Sequence, residues 1–443
     1  MIQDAKASQT SADIVRHAAE IHRLIRSGYR TITVAGAAGT GKSTLIREVV
    51  ERTDGNVCVA AFTGQATRML QNRGIEATTI HRLIYRMQAG DAFKIEELRD
   101  RIDRLGNDPS VQKERKSLEE NLQKLMVPRY VLNRESRLAK ASLCIIDEAS
   151  MVPEKIGGDL REFGVPLVAV GDPHQLGPVD GTPTFSLEHP DIELTQVYRQ
   201  NSESEILRLA TRIRQGEIRH YKTYKNHRGN GLFVRHHASM NNDDVKKWMK
   251  RAQQIICATN QTRIAVNRRM LEYLGIEINE HPYPRGLCSE KIVCLSNNYS
   301  LDVTNGMPIQ LKHARPGSDP MCFNAEVFVE EYVSGRKSLD WVSRGRAKIY
   351  KGHFNFAASH ARKGDALGQA KRDLANKPNV LECDWGYCVT VHKAQGSEWD
   401  RVLFLSEPWP DSAREPDLWA RLHYTAVTRA GKRLAIIDGW NRR

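Results

Sequence analysis

The sequence predicts an α/β protein of two parallel-sheet lobes, each interrupted by an insert of different character. Three observations carry this expectation. Thr31-Ile32-Thr33-Val34, a β-branched run, leads into Gly36-Ala37-Ala38-Gly39-Thr40-Gly41-Lys42-Ser43, and Leu45 to Val50 continues as a helix. Leu143-Cys144-Ile145-Ile146 is a second buried-type strand, and it runs straight into Asp147-Glu148. Strand and helix patterns then alternate along the chain except over 84–140 and 291–384, where the rhythm breaks.

The chain opens with a helical pattern over residues 12–26, where Ile14, Ala18, Ile21 and Ile25 share one face and Ser11 or Asp13 serves as cap. The glycine-rich stretch that follows fits G-x-x-x-x-G-K-[ST] between a strand and a helix. Such a loop turns successive N–H groups inward, and the helix N-terminus adds positive potential, so Gly36, Gly39, Thr40, Gly41, Lys42, Ser43 and Thr44 form a phosphate cradle. Lys42 reaches the β- and γ-phosphates of a nucleotide, and the Ser43 hydroxyl ligates Mg²⁺.

Val57 to Phe62 reads as a buried strand ending at Thr63-Gly64, which exposes a hydroxyl at the sheet's carboxyl edge, where open α/β sheets bind ligands. Thr78-Thr79-Ile80-His81 is another short polar loop before a helix. Leu98, Ile102 and Leu105, then Leu118, Leu122 and Leu125, repeat at helical spacing on either side of Asn107-Asp108-Pro109, an αα-hairpin. Its flanks, Phe93-Lys94-Ile95 and Tyr130-Val131-Leu132, are expected to pair as a small β-ribbon.

Asp147 arrives at the sheet edge as a Mg²⁺ ligand, and Glu148 as the group that polarises the attacking water. Pro166 to Val170 is a further strand, and Gln175 in the loop after it is placed to sense a γ-phosphate. A new α/β run begins at Leu194, with a helix over Glu205–Arg214 and a strand over Gln254–Ala258, but no second phosphate loop. Short β segments at Lys291–Leu295, Met307–Lys312, Val327–Tyr332 and Ala347–Tyr350 predict a small barrel, followed by a basic stretch from His360 to Lys377.

Composition narrows the partner. Lys and Arg total 66 against 53 acidic residues, a net charge of +13, which suits a polyanion. No run of about 18 apolar residues exists to span a bilayer. The eight cysteines form no C-x-x-C pair and sit in apolar runs, which reads as buried reduced thiols.

GAAGTGKS, DEASM, GDPHQL, LTQVYRQ, VTVHKAQGSEWD and YTAVTRA occur in one order over residues 36–430. In this the chain resembles the superfamily 1 DNA helicases, and within them the 1B group that includes RecD and the phage Dda helicase; its length and two inserts are most similar to the Dda type. The resemblance implies RecA-like lobes over 1–83 with 141–190 and over 191–290 with 385–443, a pin or helical hairpin over 84–140, and an SH3-like barrel over 291–384. It implies that Arg199 and Arg429 reach the γ-phosphate from the second lobe, and that Tyr198, Gly396 and Glu398 contact the nucleotide. Thr63, Thr79, His81, Thr390, His392 and Lys393 fall in motifs that line the single-strand track. The implied activity is ATP- and Mg²⁺-dependent translocation on single-stranded DNA, 5′ to 3′, with unwinding of forked duplexes. The protein is then expected to act as a cytoplasmic monomer (in the host cytoplasm, if phage-encoded) in replication, recombination or repair, beside single-strand-binding or replication proteins. No Q motif is evident around Gln9, so the base specificity is open. A nucleic-acid-stimulated ATPase switch and an RNA motor are the alternatives.

Overall fold

The computed structural model describes residues 2–88, 92–105, 112–126, 129–178, 181–196, 204–218, 221, 228–229, 231–276, 284, 290–298, 301–333, 338–354, 380–408 and 416–441. Tyr198, Arg199, the Asn107–Pro109 turn and the basic stretch from His360 to Lys377 lie outside them.

In the first lobe, α1 (Ile2–Arg26) precedes β1 (Thr31–Gly36), α2 (Lys42–Arg52), β2 (Val57–Ala61), α3 (Gly64–Asn72), β3 (Thr78–Thr79) and α4 (Ile80–Ile84). α1 begins ten residues before the expected start, so Ser11 and Asp13 are interior positions rather than caps. Asp13 instead pairs with Arg16, one turn on. Ile14, Ala18 and Ile21 are buried against Leu45, Ile46 and Val49 of α2 and the strands beneath. Each large aliphatic side chain so buried contributes roughly 1.5–3 kcal/mol.

The insert follows as β4 (Tyr85–Gln88), α5 (Ala92–Leu105), α6 (Gln112–Met126) and β5 (Arg129–Leu132). The helical hairpin is present, with Ile102 and Leu118 buried and Arg101 paired with Glu114 across it at 3.0 Å. The ribbon differs from expectation. Tyr130 to Leu132 pairs antiparallel with Tyr85 to Met87, while Phe93-Lys94-Ile95 belongs to α5. Ile95 stands three residues before Leu98, so it extends the helical repeat, and the strand partner starts directly where α4 stops.

The first lobe closes with β6 (Leu143–Asp147), α7 (Glu154–Arg161), β7 (Leu167–Gly171) and β8 (Ile192–Leu194). Its sheet is parallel throughout, in the order β3-β2-β6-β7-β1-β8. Ile192–Leu194, expected to open the second lobe, instead pairs with Val34–Gly36 at the edge of this sheet.

The second lobe contains α8 (Glu205–Arg214), β9 (Arg228–Gly229), β10 (Leu232–His236), α9 (Asn242–Arg251), β11 (Gln254–Cys257) and α10 (Asn260–Leu274). An antiparallel insert follows, from β12 (Ile292–Cys294) through β13 (Pro308–Pro316), β14 (Cys322–Val333), β15 (Ser338–Tyr350) and β16 (Val380–Leu381) to β17 (Cys383–Trp385). β14 and β15 run well beyond the expected segments and pair over twelve positions as one long ribbon. The sheet order is β16-β15-β14-β13-β12-β17, and the single residue Glu382 joins its two edges, so the sheet curls back on itself. β18 (Cys388–Thr390), α11 (Val391–Ala394), β19 (Trp399–Ser406), α12 (Pro416–Val427) and β20 (Ala430–Asp438) complete the lobe. Its sheet, β18-β11-β19-β20-β10-β9, is parallel except for β9.

Insert and second lobe share one core, in which Ile292, Phe323 and Trp385 pack with Met270, Leu271 and Leu403. At its root Arg263 pairs with Asp384, and Asn267 bonds the Trp385 carbonyl (2.9 Å) and the Cys388 N–H (2.8 Å). All seven described cysteines are buried free thiols, as expected. Among the described residues no helix is long and apolar enough to cross a membrane.

Candidate nucleotide and nucleic-acid site

β1 delivers the chain to Gly36, and the loop returns to start α2 at Lys42. Gly39 and Gly41 have φ of +83° and +87°, left-handed backbone that glycine adopts without strain. A Cβ on Gly36 would lie 2.4 Å from Thr40 Oγ1, so the turn leaves no space for a side chain there. No side chain caps α2 and its first turn has no acidic residue, which keeps its N–H groups available to an anion. Lys42 Nζ donates to the carbonyls of Gly36 (2.7 Å) and Ala37 (3.0 Å).

The loop faces a cleft of about 350 Å³ between the lobes. Gly39 to Thr44, Asp147, Glu148 and Gln175 line it from the first lobe. Gly396, Ser397, Glu398, Thr428 and Arg429 line it from the second. Gly36 lies under the loop and does not reach the cleft surface.

Burial, then the neighbouring Glu148, pushes the Asp147 carboxyl up to about 7, with Lys42 opposing. Glu148 has φ of +52°, strained for a residue with a Cβ, and its buried Oε2 has no partner among the described residues. Gln175 Oε1 is likewise buried and unpartnered among them. Two carboxylates and the Ser43 hydroxyl make an all-oxygen donor set of the kind a hard divalent cation takes.

Arg429, 5% exposed, donates to the Thr425 carbonyl (3.0 Å), the Ser397 carbonyl (3.2 Å) and Thr428 Oγ1 (3.1 Å). The lobes meet through bonds that no motif pattern specified. Tyr424 Oη accepts from the Ala38 N–H at 3.0 Å and donates to Asp172 Oδ2 at 2.8 Å. Gln395 Nε2 donates to the Leu176 carbonyl (2.8 Å), and the Leu176 N–H to Thr425 Oγ1 (3.1 Å). Arg73 was also missed: its guanidinium bonds Ser43 Oγ and stands 3.9 Å from Glu398. It follows α3 as an isolated Arg-Gly, a pattern with no distinguishing signal. Tyr424, Asp172 and Gln395 did fall inside quoted motifs, and their residue types were the available clue.

The expected DNA-side residues are not gathered in one cavity. Thr63 caps α3, accepting from the Ala66 N–H (3.1 Å), and Thr79 caps α4, accepting from the Arg82 N–H (3.3 Å). Thr390 precedes α11 without a side-chain cap bond and is buried. His81 lies between the rings of Phe62 and Tyr85, and burial lowers its pKa, as it does for His392. Burial, with Arg263 nearby, brings the Lys393 ammonium down to about 8. The antiparallel insert rests on the helices after Thr63 and Thr79. Arg68 pairs with Glu330 (2.9 Å), Arg82 and Arg344 both pair with Asp302, and Gln65 Nε2 bonds the Gly306 carbonyl (3.1 Å). A Cβ on Gly64 would strike Thr304 Oγ1 at 1.9 Å, so that contact is close.

Fold and site together define a two-lobed P-loop protein whose phosphate loop and distal arginine face one cleft. An AAA domain family matches residues 16–231, and the UvrD-like helicase C-terminal domain matches 386–437. The ATP-dependent RecD2 DNA helicase of Deinococcus radiodurans is 26% identical over 422 residues, covering 92% of this chain and 47% of that protein. The ATP-dependent DNA helicase Dda of Enterobacteria phage T4 is 27% identical over 47% of this chain and 43% of its own length. The ATP-dependent DNA helicase PIF1 of Saccharomyces cerevisiae is 30% identical over 45% of this chain and 22% of its own. The chain is similar to these helicases and spans less than half the length of each. A crystal structure of Bacteroides Pif1 helicase with ADP-AlF3 and ssDNA is 17% identical and covers 96% of this chain and 92% of its own, with a TM-score of 0.48.

Proposed function

We propose that this chain is an ATP-dependent DNA helicase that translocates on single-stranded DNA, 5′ to 3′, and unwinds forked duplexes. The observation that carries the reading is the convergence of Lys42, Asp147 and Glu148 from one lobe and Arg429 from the other on a single interlobe cleft. A nucleotide bound there holds the lobes at one separation, and loss of its γ-phosphate removes what Arg429 reaches for. Lys42 exchanges its carbonyl partners for phosphate oxygens, which are stronger acceptors. Glu148 orients a water, and its unpartnered Oε2 is the acceptor for that water's proton. Ser43 and Asp147 would hold Mg²⁺, which when bound offsets phosphate charge. Arg199 is assigned the second cationic contact, and Tyr198, Gly396 and Glu398 the nucleoside side.

The division we propose keeps the hairpin at 84–140 and moves one boundary: the first RecA-like lobe spans 1–83 and 141 to about 196 rather than 190, since Ile192–Leu194 pairs with β1, and the second spans about 204 to 290 and 385–443. The insert at 291–384 is read as an SH3-like barrel, supported by the edge-joining Glu382. Thr63, Thr79 and His81 on one lobe, and Thr390, His392 and Lys393 on the other, would grip the strand alternately as the cleft opens and closes.

Strand displacement on duplexes with 5′ or 3′ single-stranded tails tests the proposal. Displacement requiring ATP and a 5′ tail is the expected result. Hydrolysis stimulated by single strands without displacement would replace the helicase with an ATPase switch, and a requirement for RNA tails would make it an RNA motor.

A further inference from the structure

A second cleft of about 350 Å³ lies where three parts of the molecule meet, and its chemistry differs from that of the nucleotide cleft. Gln65 of α3 enters from the first lobe, Lys291, Gln310 and Trp341 from the insert, and Lys393 and Trp399 from the second lobe. Trp341 is 36% exposed on β15, so a large indole is left partly in water at the cleft wall. The carboxylates of Glu290 and Glu330 also line this cleft. Two carboxylates offset the two ammonium groups, so beyond the one contact assigned to Lys393 this wall carries little net charge for a row of phosphates. Indole faces, primary amides and carboxylates are, however, the groups that recognise a nucleobase, by stacking on its ring and by hydrogen bonds to its edge.

Ser397 lines this cleft and the nucleotide cleft alike. Its buried hydroxyl has no partner among the described residues, and its carbonyl accepts from Arg429 at 3.2 Å. A ligand in the second cleft therefore lies against the residue whose carbonyl anchors the arginine.

The geometry points to a seat for one unstacked base of the single strand, with the partly exposed Trp341 as stacking face and the Gln65 amide oxygen and the Gln310 amide at its edge. The assignment rests on the single-strand motor reading above and adds base contact to a track otherwise expected to hold phosphates.

The test compares oligodeoxythymidylate with an oligonucleotide of equal length whose bases are replaced by abasic tetrahydrofuran units, bound to the full chain at fixed salt and followed by anisotropy. The unmodified protein should prefer the base-bearing strand by about tenfold. Trp341→Ala should bring that ratio close to one while its affinity for the abasic strand stays within about twofold, and Trp341→Phe should restore part of the preference. Because Trp341 is partly solvent-exposed, an unchanged Tm is expected and checks that Trp341→Ala is folded. Equal affinity of the unmodified protein for both strands, or an equal loss on both in Trp341→Ala, would overturn the base seat and leave the motor standing. If neither oligonucleotide binds or stimulates ATP hydrolysis, the motor reading falls and the seat with it.

Discussion

The two faces of the nucleotide cleft are built on different principles. The first lobe shapes its face from main chain: a left-handed glycine turn, an uncapped helix N-terminus and a buried strand that ends in carboxylates. The second lobe contributes Gly396, Ser397, Glu398, Thr428 and Arg429, and the Arg429 guanidinium lines the cleft while tethered to three oxygens of its own lobe. A face made of backbone keeps its geometry wherever the other lobe goes. A face carried by the other lobe meets the phosphate loop correctly only when the two lobes are in register, and the Tyr424–Asp172 and Gln395–Leu176 bonds hold them so.

The largest expected effect breaks the first face. Lys42→Ala should abolish steady-state ATP hydrolysis while single-strand affinity is largely retained; substantial residual turnover would remove Lys42 from the phosphate site. Next comes the second face, where Arg429→Ala should lower kcat by about 10³-fold. A near-normal kcat would show that Arg429 does not engage the γ-phosphate.

A third variant probes the boundary itself. Tyr424→Phe deletes a hydroxyl that joins the Ala38 N–H to buried Asp172, and should cost about 1–3 kcal/mol in denaturant unfolding. An unchanged denaturation midpoint would mean that the bridge contributes nothing to lobe registry. The smallest effect concerns the DNA side. Lys393 titrates near 8, below its ordinary value, so its charge is present at pH 7 and lost as pH rises through 8. Single-strand affinity should therefore fall between pH 7 and 9, by about tenfold or less, and Lys393→Arg should remove that dependence because guanidinium stays charged. A pH-independent affinity in the unmodified protein would take Lys393 off the track.

Much of this was legible beforehand because local chemistry dictates it. A glycine turn between a β-branched run and a helix has few other uses, and four apolar residues before Asp147-Glu148 bury best in mid-sheet. The ribbon differs from the sequence expectation because Phe93-Lys94-Ile95 and Tyr85-Arg86-Met87 have similar strand propensity, and only the pairing with Tyr130–Leu132 separates them. Ile192–Leu194 joins the first lobe's sheet rather than the second's for a related reason: a three-residue strand carries no mark of which sheet's edge it will join. Thr63 and Thr79 fall in motifs expected to line the strand track, and in the structure both close helix N-termini.

Taken alone, the sequence determined the phosphate loop, the acidic strand end, the two-lobed α/β plan and the positive charge, since each depends on neighbours along the chain or on composition. Tertiary structure decided which strands pair, that the antiparallel insert shares the second lobe's core, that Arg73 and Ser397 line the cleft, and that Tyr424 bonds the phosphate loop. Those outcomes join residues up to 386 positions apart, and a contact over such separation is selected by packing and hydrogen-bond satisfaction across the whole fold. The phosphate loop is a local structure, and the cleft that gives it a function is not.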